Sequence, residues 1–255
     1  MRFTCAARTD VGVVRSGNED TYMMSSERGF FVVADGMGGH AAGEVASEMA
    51  ARLIAEEFRP ARGMSDDELM AQMVAAIRTA NAAIFRRTMQ EQDKRGMGTT
   101  ATVLALLPRR YLIGQVGDSR AYLLRGDVLT QLTKDHSYVQ EQVDAGRLSP
   151  EEARTHPYAN VITRCVGSSG DVVPDLYLGT LEPGDLILLA SDGLTGMLDD
   201  EDVRDLMMTD TDLELMVDKL IADANRRGGL DNITTILVKV EAVAPPTGEI
   251  PVLRG

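Results

Sequence analysis

Two short apolar runs each end on an aspartate followed by glycine. Phe31-Val32-Val33-Ala34 delivers Asp35-Gly36, and Leu188-Leu189-Ala190-Ser191 delivers Asp192-Gly193. A carboxylate at the exit of a buried strand restricts the fold, because an unpaired charge is strongly disfavoured in an apolar interior. Asp231-Asn232 stands just before the last apolar run, Ile233 to Val240, and Asn18-Glu19-Asp20 adds a further acidic motif. Where such strand ends converge, the carboxylates repel one another unless a cation neutralises them. An all-oxygen donor set suits hard ions such as Mg²⁺ and Mn²⁺. Taken singly, an Asp-Gly pair is above all a turn signal. Repetition at strand exits is what points to a hydrolytic metal centre. Glycine also lets backbone come close to a ligand, so the Gly36 carbonyl is a candidate donor to an ion or a bound water.

The remainder of the chain intermixes strand-like and helix-like segments without a repeat. Val45, Met49, Leu53, Ile54 and Phe58 recur at helical spacing between Gly43 and Phe58. Ser65 followed by Glu68 forms a capping box that opens a second helix with Leu69, Met73, Ile77 and Ile84 on one face. Four strand-like runs follow: Thr100 to Leu107, Tyr111 to Val116, Ala121 to Leu124 and Val128 to Leu132. Their short breaks, including Gly117-Asp118-Ser119, predict an antiparallel meander. In that reading Asp118 either closes a hairpin or joins the acidic site. Between Asp135 and Gly170, two helix starts at Ser137 and Ser149-Pro150 predict an inserted flap of two short helices. Helices are expected again over 201–208 and 212–227, the latter capped by Gly228-Gly229. Grouped strands with flanking helices imply layered α+β packing.

At 255 residues the chain suits one large domain. A net charge of -13 opposes nucleic-acid binding, which needs a cationic footprint. It equally disfavours docking to anionic lipid. No apolar run reaches the roughly 18–20 residues of a membrane span, and the N-terminus is not a signal peptide. Cys5 and Cys165 stand outside any metal-ligand spacing and read as reduced thiols of a cytoplasmic protein. The tail 244–255, with Pro245-Pro246, Gly248 and Pro251, reads as a linker. A monomer is the default expectation.

Six stretches, taken in order, carry a resemblance. They are Arg15-Ser16-Gly17-Asn18-Glu19-Asp20, Val33-Ala34-Asp35-Gly36-Met37-Gly38-Gly39-His40, Gly98-Thr99-Thr100, Val116-Gly117-Asp118-Ser119-Arg120, Ser191-Asp192-Gly193-Leu194 and Asp231-Asn232-Ile233-Thr234. The chain resembles the metal-dependent protein phosphatases (PPM, the type 2C serine/threonine phosphatases) in their compact bacterial form. The likeness covers residues 8 to 240.

The resemblance implies a four-layer αββα sandwich, with two central antiparallel sheets flanked by helix pairs. It implies a catalytic domain over 1–243 with a flap at about 136–170, and two Mn²⁺ or Mg²⁺ ions with a third, weaker one. Carried over by motif, Asp35 bridges both ions, Asp192 and Asp231 complete one shell, and Glu19 and the Gly36 carbonyl serve the other. Asp118 matches the residue that helps hold the third ion, and Arg15 the phosphate-binding arginine. The implied substrates are proteins phosphorylated on serine or threonine, with a serine/threonine kinase as the natural opponent.

The resemblance is imperfect at one position. Many eukaryotic members place a histidine directly after Asp-Gly to protonate the leaving alkoxide, and here that position is Met37. His40, His136 or a metal-bound water is left for that role. Arg164 within the flap either touches a phosphopeptide or anchors the flap. Two other readings compete with this one: a non-catalytic sensing module of the same fold, and a metal-dependent phosphoesterase acting on nucleotides or nucleic acid. Retention of every expected carboxylate counts against the first, and the -13 charge counts against polynucleotide substrates of the second.

Overall fold

The computed structural model describes residues 1–38, 42–61, 63–209 and 211–244. The chain runs through β1 (Arg2–Asp10), β2 (Asp20–Ser25), β3 (Phe30–Met37), α1 (Ala42–Glu57) and α2 (Asp66–Gln90). Next come β4 (Gly98–Thr99), β5 (Ala101–Leu106), β6 (Arg110–Val116), β7 (Arg120–Arg125) and β8 (Val128–Gln131). The flap helices α3 (Tyr138–Asp144) and α4 (Pro150–Arg154) precede β9 (Asp175–Thr180) and β10 (Leu186–Ala190). The short α5 (Asp192–Thr195), then α6 (Asp200–Met208) and α7 (Leu213–Arg226), lead to β11 (Ile233–Ala242).

Two antiparallel sheets result. The first has the order β1-β11-β10-β7-β8, and the second β2-β3-β5-β6-β9 with β4 paired to the end of β3. Side-chain alternation along the central strands builds three cores. On β3, Phe31 and Val33 face the other sheet, where they meet Ile187, Leu189, Ile236 and Val238. Phe30 and Val32 point the opposite way, onto Ala46, Ala50, Ile54, Met73 and Ile77 of α1 and α2. On β10, Leu186 and Leu188 pack with Val203, Met207, Val217 and Leu220 of α6 and α7. Strands buried on both faces read as continuous apolar runs, which is why these two stood out in the sequence. The layers are helix, sheet, sheet, helix, as the resemblance implied.

The capping box at Ser65 and Glu68 forms, and Leu69, Met73, Ile77 and Ile84 of α2 are buried as expected. Both flap helices start at their predicted caps, Ser137 and Ser149. Helix α1 differs in its buried face. Ile54, and Phe58 just beyond the helix, are buried as expected, but the other buried residues are Ala42, Gly43, Ala46, Ser47, Ala50, Ala51 and Ala55, while Val45, Met49 and Leu53 flank the core half-buried. Small residues let this helix lie close against β3, where bulky ones would hold it away.

The predicted meander is a more substantial correction. β5 pairs with β6 and β7 with β8, but β6 and β7 belong to different sheets. Gly117-Asp118-Ser119 is therefore a crossing between the layers and not a hairpin. The half-exposed edge strands β1, β2 and β9 carry too few apolar residues to stand out in sequence. Of the expected tail, only Ala244 is described. Its amide donates to the Pro108 carbonyl, and its carbonyl accepts from Arg109. Among the described residues no helix is long and apolar enough to cross a membrane.

Adjacent residues of β10 face different cores. Ile187→Ala and Leu188→Ala should therefore each lower unfolding free energy by about 2–5 kcal/mol in urea titrations. A strand with one solvated face would show the loss at only one of the two.

Candidate active site

Asp35 is pinned by its backbone. Its amide donates to Thr100 Oγ1 at 2.9 Å, while its carbonyl accepts from the Thr100 amide at 2.9 Å and from Thr99 Oγ1 at 2.9 Å. Thr100 Oγ1 also meets Ser119 Oγ at 2.7 Å, which ties Asp35 to the sheet crossing that carries Asp118. Across the β2–β3 pair, Asp35 stands directly opposite Asp20. Ser191 Oγ, from the other sheet, donates to Asp20 Oδ2 at 2.8 Å and accepts from the Thr234 amide at 2.9 Å. The residue after Ser191 is Asp192, so this inter-sheet bond brings the second strand exit to the first.

The resulting electrostatics are unfavourable. Burial pushes the Asp35 carboxyl well above its ordinary range, and Asp20, Asp192 and Asp118 push it further. Burial also raises Asp118, with Asp192 and Asp135 adding to it, and raises Asp192, with Asp231 adding. Asp20 is raised to about 7, by burial first and then by Asp192 and Asp231, against the hydrogen bonds from Thr234 and Ser191. Asp20 Oδ1, Asp118 Oδ1 and Asp192 Oδ1 are buried without a hydrogen-bond partner. Buried carboxylate oxygens seldom stand without a partner unless they serve a cation or a proton. Among the described residues, no three acidic, thiol or imidazole side chains form a ready-made metal cage. The mark of the site is this repulsion with its orphaned oxygens, a donor set made of oxygen alone.

Glu19 arrives on a stapled loop. Its amide donates to Asn232 Oδ1 at 2.8 Å, and Asn232 Nδ2 donates to the carbonyls of Val11 and Gly17 at 2.9 Å each. One buried amide thus holds the Val11–Glu19 loop at three points. The Glu19 carbonyl accepts from the Gly36 amide at 3.1 Å and from Ser47 Oγ at 2.6 Å. Burial raises the Glu19 carboxyl too. The approach here is too close for any side chain. A Cβ on Gly36 would lie 2.1 Å from the Gly43 carbonyl oxygen, and one on Gly43 would lie 2.7 Å from the Glu19 carboxylate. At the loop's outer part, Arg15 Nη2 donates to Asp231 Oδ2 at 2.6 Å.

Asp118 is 6% exposed. The preceding Gly117 donates its amide to His136 Nδ1 at 3.0 Å and accepts from the His136 amide at 2.9 Å. His136 Nε2 lies 3.2 Å from Asp175 Oδ2 and 2.9 Å from Arg164 Nη1. With Nδ1 accepting, the ring proton resides on Nε2 and faces Asp175. Burial, with Arg164 adding, lowers the His136 pKa and keeps the ring neutral. His136 is thereby committed to the base of the flap. Arg164 also binds Asp175 Oδ1 at 2.7 Å and the Val173 carbonyl at 3.0 Å, which makes it a flap anchor.

Glu19, Asp35, Gly36, Asp118, Asp192, Asp231 and Arg15 therefore all gather at one end of the sandwich. His40 lies outside the described residues. Sequence reasoning undervalued Asp20, Ser191 and Asn232, each adjacent to an expected ligand and facing inward. It also passed over Arg120, whose guanidinium binds Asp135 in bidentate fashion beside Asp118. The cluster opens on a cavity of about 890 Å³ between the flap and the α5–α6 segment. A smaller cavity of about 230 Å³, beside Phe30 at the far end of β3, has no acidic lining.

Residues 15–228 match the family Protein phosphatase 2C. Protein phosphatase PhpP of Streptococcus pneumoniae is 40% identical over 235 residues, covering 91% of this chain and 95% of that protein. The crystal structure of the Mycobacterium tuberculosis serine/threonine phosphatase PstP superposes with a TM-score of 0.88 at 39% identity, covering 94% of this chain and 99% of that one. A PstP catalytic domain in complex with two manganese ions superposes with a TM-score of 0.84 at 38% identity, covering 94% of this chain and 99% of that one. With its acidic cluster at the end of an αββα sandwich, this chain belongs to the protein phosphatase 2C family.

Proposed function

We propose that Glu19, Asp35, Asp118, Asp192, Asp231 and the Gly36 carbonyl hold the divalent ions of a metal-dependent protein serine/threonine phosphatase. Family membership carries the reaction class, hydrolysis of phosphoserine and phosphothreonine in proteins with Mn²⁺ or Mg²⁺. The observation that carries the residue assignment is the buried set Asp20, Asp35, Asp118 and Asp192, with three oxygens left unpartnered. Asp35, at the centre of that set, suits a bridge between two ions. Asp192 and Asp231 come from the end of the first sheet, Glu19 and Gly36 from that of the second, and Asp118, on the crossing between them, would help hold a third ion.

When bound, two such ions supply an acidified water as nucleophile and offset charge on the phosphoryl group. The protein's own groups do the positioning. Arg15 is half-exposed, and its fork of donors can exchange Asp231 for two phosphate oxygens, which orients the ester for in-line attack. Asn232 fixes the loop that carries both Arg15 and Glu19, so phosphate binding and metal binding share one support. Asp20 takes part through Ser191, holding the two sheets in register. His40 remains the candidate proton donor to the leaving alkoxide, since His136 is occupied at the flap base. A cytoplasmic setting opposite a serine/threonine kinase fits this reading. It is supported by Cys5 and Cys165, which stand free.

Asp35→Asn should lower kcat on a phosphothreonine peptide in Mn²⁺ by about a thousandfold, the several kcal/mol that loss of a metal centre withdraws. Wild-type turnover in that variant would remove Asp35 from the centre. A second expectation concerns pH. Folding raises the Asp20 pKa from 3.8 to about 7 and raises Asp35, Asp118 and Asp192 as well. Between these limits the folded state holds protons that the unfolded state releases, so this cluster's contribution to stability falls as pH rises. A cation favours the ionised form and reverses that loss. The rise in melting temperature produced by Mn²⁺ over chelator should therefore be larger at about pH 8 than at about pH 5. An increment independent of pH would contradict a metal site built on Asp35, Asp118 and Asp192 within this cluster.

A further inference from the structure

The cavity extends well beyond the groups that handle phosphate. Arg15, Asp118, Asp192 and Asp231 line its reacting end. Farther along, Glu151 of α4 lies on the flap wall, and Asp199, Asp200 and Glu201 lie on the facing wall at the start of α6. Three arginines also line the cavity, and each is already engaged. Arg15 is held by Asp231, Arg120 by Asp135, and Arg154 by the carbonyls of Thr195 and Leu198. Glu151, Asp199, Asp200 and Glu201 form no ion pair within 4.0 Å among the described residues. Asp199 caps α6 through the Asp202 amide, and Asp200 accepts from the Tyr122 hydroxyl, so both are fixed in place.

The walls are also fixed relative to each other. Arg154 reaches from the flap helix α4 across to the Thr195 and Leu198 carbonyls, at 3.4 and 3.1 Å, on the opposite side. The groove is thus formed before substrate arrives, which lowers the ordering cost of binding. At its inner end the groove runs into the buried Asp118, whose Oδ1 has no hydrogen-bond partner, so the groove and the reacting end form one continuous cavity.

We propose that this groove is a specificity subsite that favours phosphoproteins with lysine or arginine near the phosphorylated residue. The proposal rests on the phosphatase site described above. A peptide anchored by its phosphate at Arg15 must pass along these walls, and its neighbouring side chains meet net negative charge, because Arg227 and Arg204, which feel Asp199 and Glu201, are themselves paired with Asp202 and Asp205. Cationic side chains are attracted there, and acidic ones are repelled.

The test uses two phosphothreonine peptides of equal length, one with lysines and one with glutamates flanking the phosphorylated residue. Each is hydrolysed by the full chain in Mn²⁺ at low ionic strength, with p-nitrophenyl phosphate as a substrate too small to reach the groove. The kcat/KM ratio of lysine to glutamate peptide should be about fivefold or more, the effect of one exposed ion pair at its upper range. Raising salt should shrink the ratio. In a Glu151→Gln, Glu201→Gln double variant the ratio should fall toward one; because it is read within each enzyme, changes in overall rate cancel. A wild-type ratio of one or less, or an unchanged ratio in the double variant, would overturn the subsite. Failure to hydrolyse p-nitrophenyl phosphate as well would overturn the phosphatase site itself, and the subsite with it.

Discussion

Asp20, Asp35, Asp118 and Asp192 are held close to one another by hydrogen bonds to their backbones and neighbours, against their own repulsion. Thr99 and Thr100 clamp the Asp35 peptide, Ser191 joins Asp20 across the sheets, and the crossing at Gly117–Ser119 carries Asp118. Their backbones cannot move apart without breaking these bonds. The energy that holds them comes from elsewhere, from three apolar cores that the two sheets share with each other and with the helices. A local cost at the site is tolerated because the sandwich is well packed, a common pattern at functional sites. A divalent cation held by these carboxylates would convert that cost into binding energy.

The second requirement is room. Gly36, Gly43 and Gly193 stand where a Cβ would lie 2.1, 2.7 and 2.0 Å from its nearest neighbour. These contacts let α1, the Glu19 loop and the Asp231-Asn232 turn crowd against the strand exits. Asp-Gly in this chain is thus not the turn signal that either pair suggests alone. The glycine follows because the backbones on either side leave no space for a side chain.

The legible parts of this sequence were those in which one physical cause acts without competition. β3 and β10 are buried on both faces and therefore read as unbroken apolar runs. Capping boxes at Ser65 and Ser149 announced their helices because their hydrogen bonds are local. The strand exits at Asp35 and Asp192 followed from the same runs. What sequence could not show was long-range arrangement. Spacing alone cannot tell a hairpin from a crossing between sheets, so it fits Asp118 as a turn residue and as part of the site alike, and only the motif resemblance assigns it to the ions. The burial of Asp20 has no local signal, because its partner Ser191 stands some 170 positions away and its hydroxyl reaches Asp20 from the other sheet. The face of α1 was legible only at Ile54 and Phe58; over the rest of the helix close packing selected alanine and glycine over larger apolar residues. Edge strands β1, β2 and β9, half exposed and rich in polar residues, gave no period to read.

The crossing at Gly117 has a mechanical consequence. Two hydrogen bonds join Gly117 to His136, one from each partner, and His136 is in turn bonded to Asp175, which Arg164 also holds at the flap's root. The flap spans the gap between β8 and β9, which are edge strands of different sheets. It therefore cannot pivot at this root as a free lid. Any rotation there must either break the His136 bonds or drag the Asp118 loop along, so the flap and the carboxylate move as one lever.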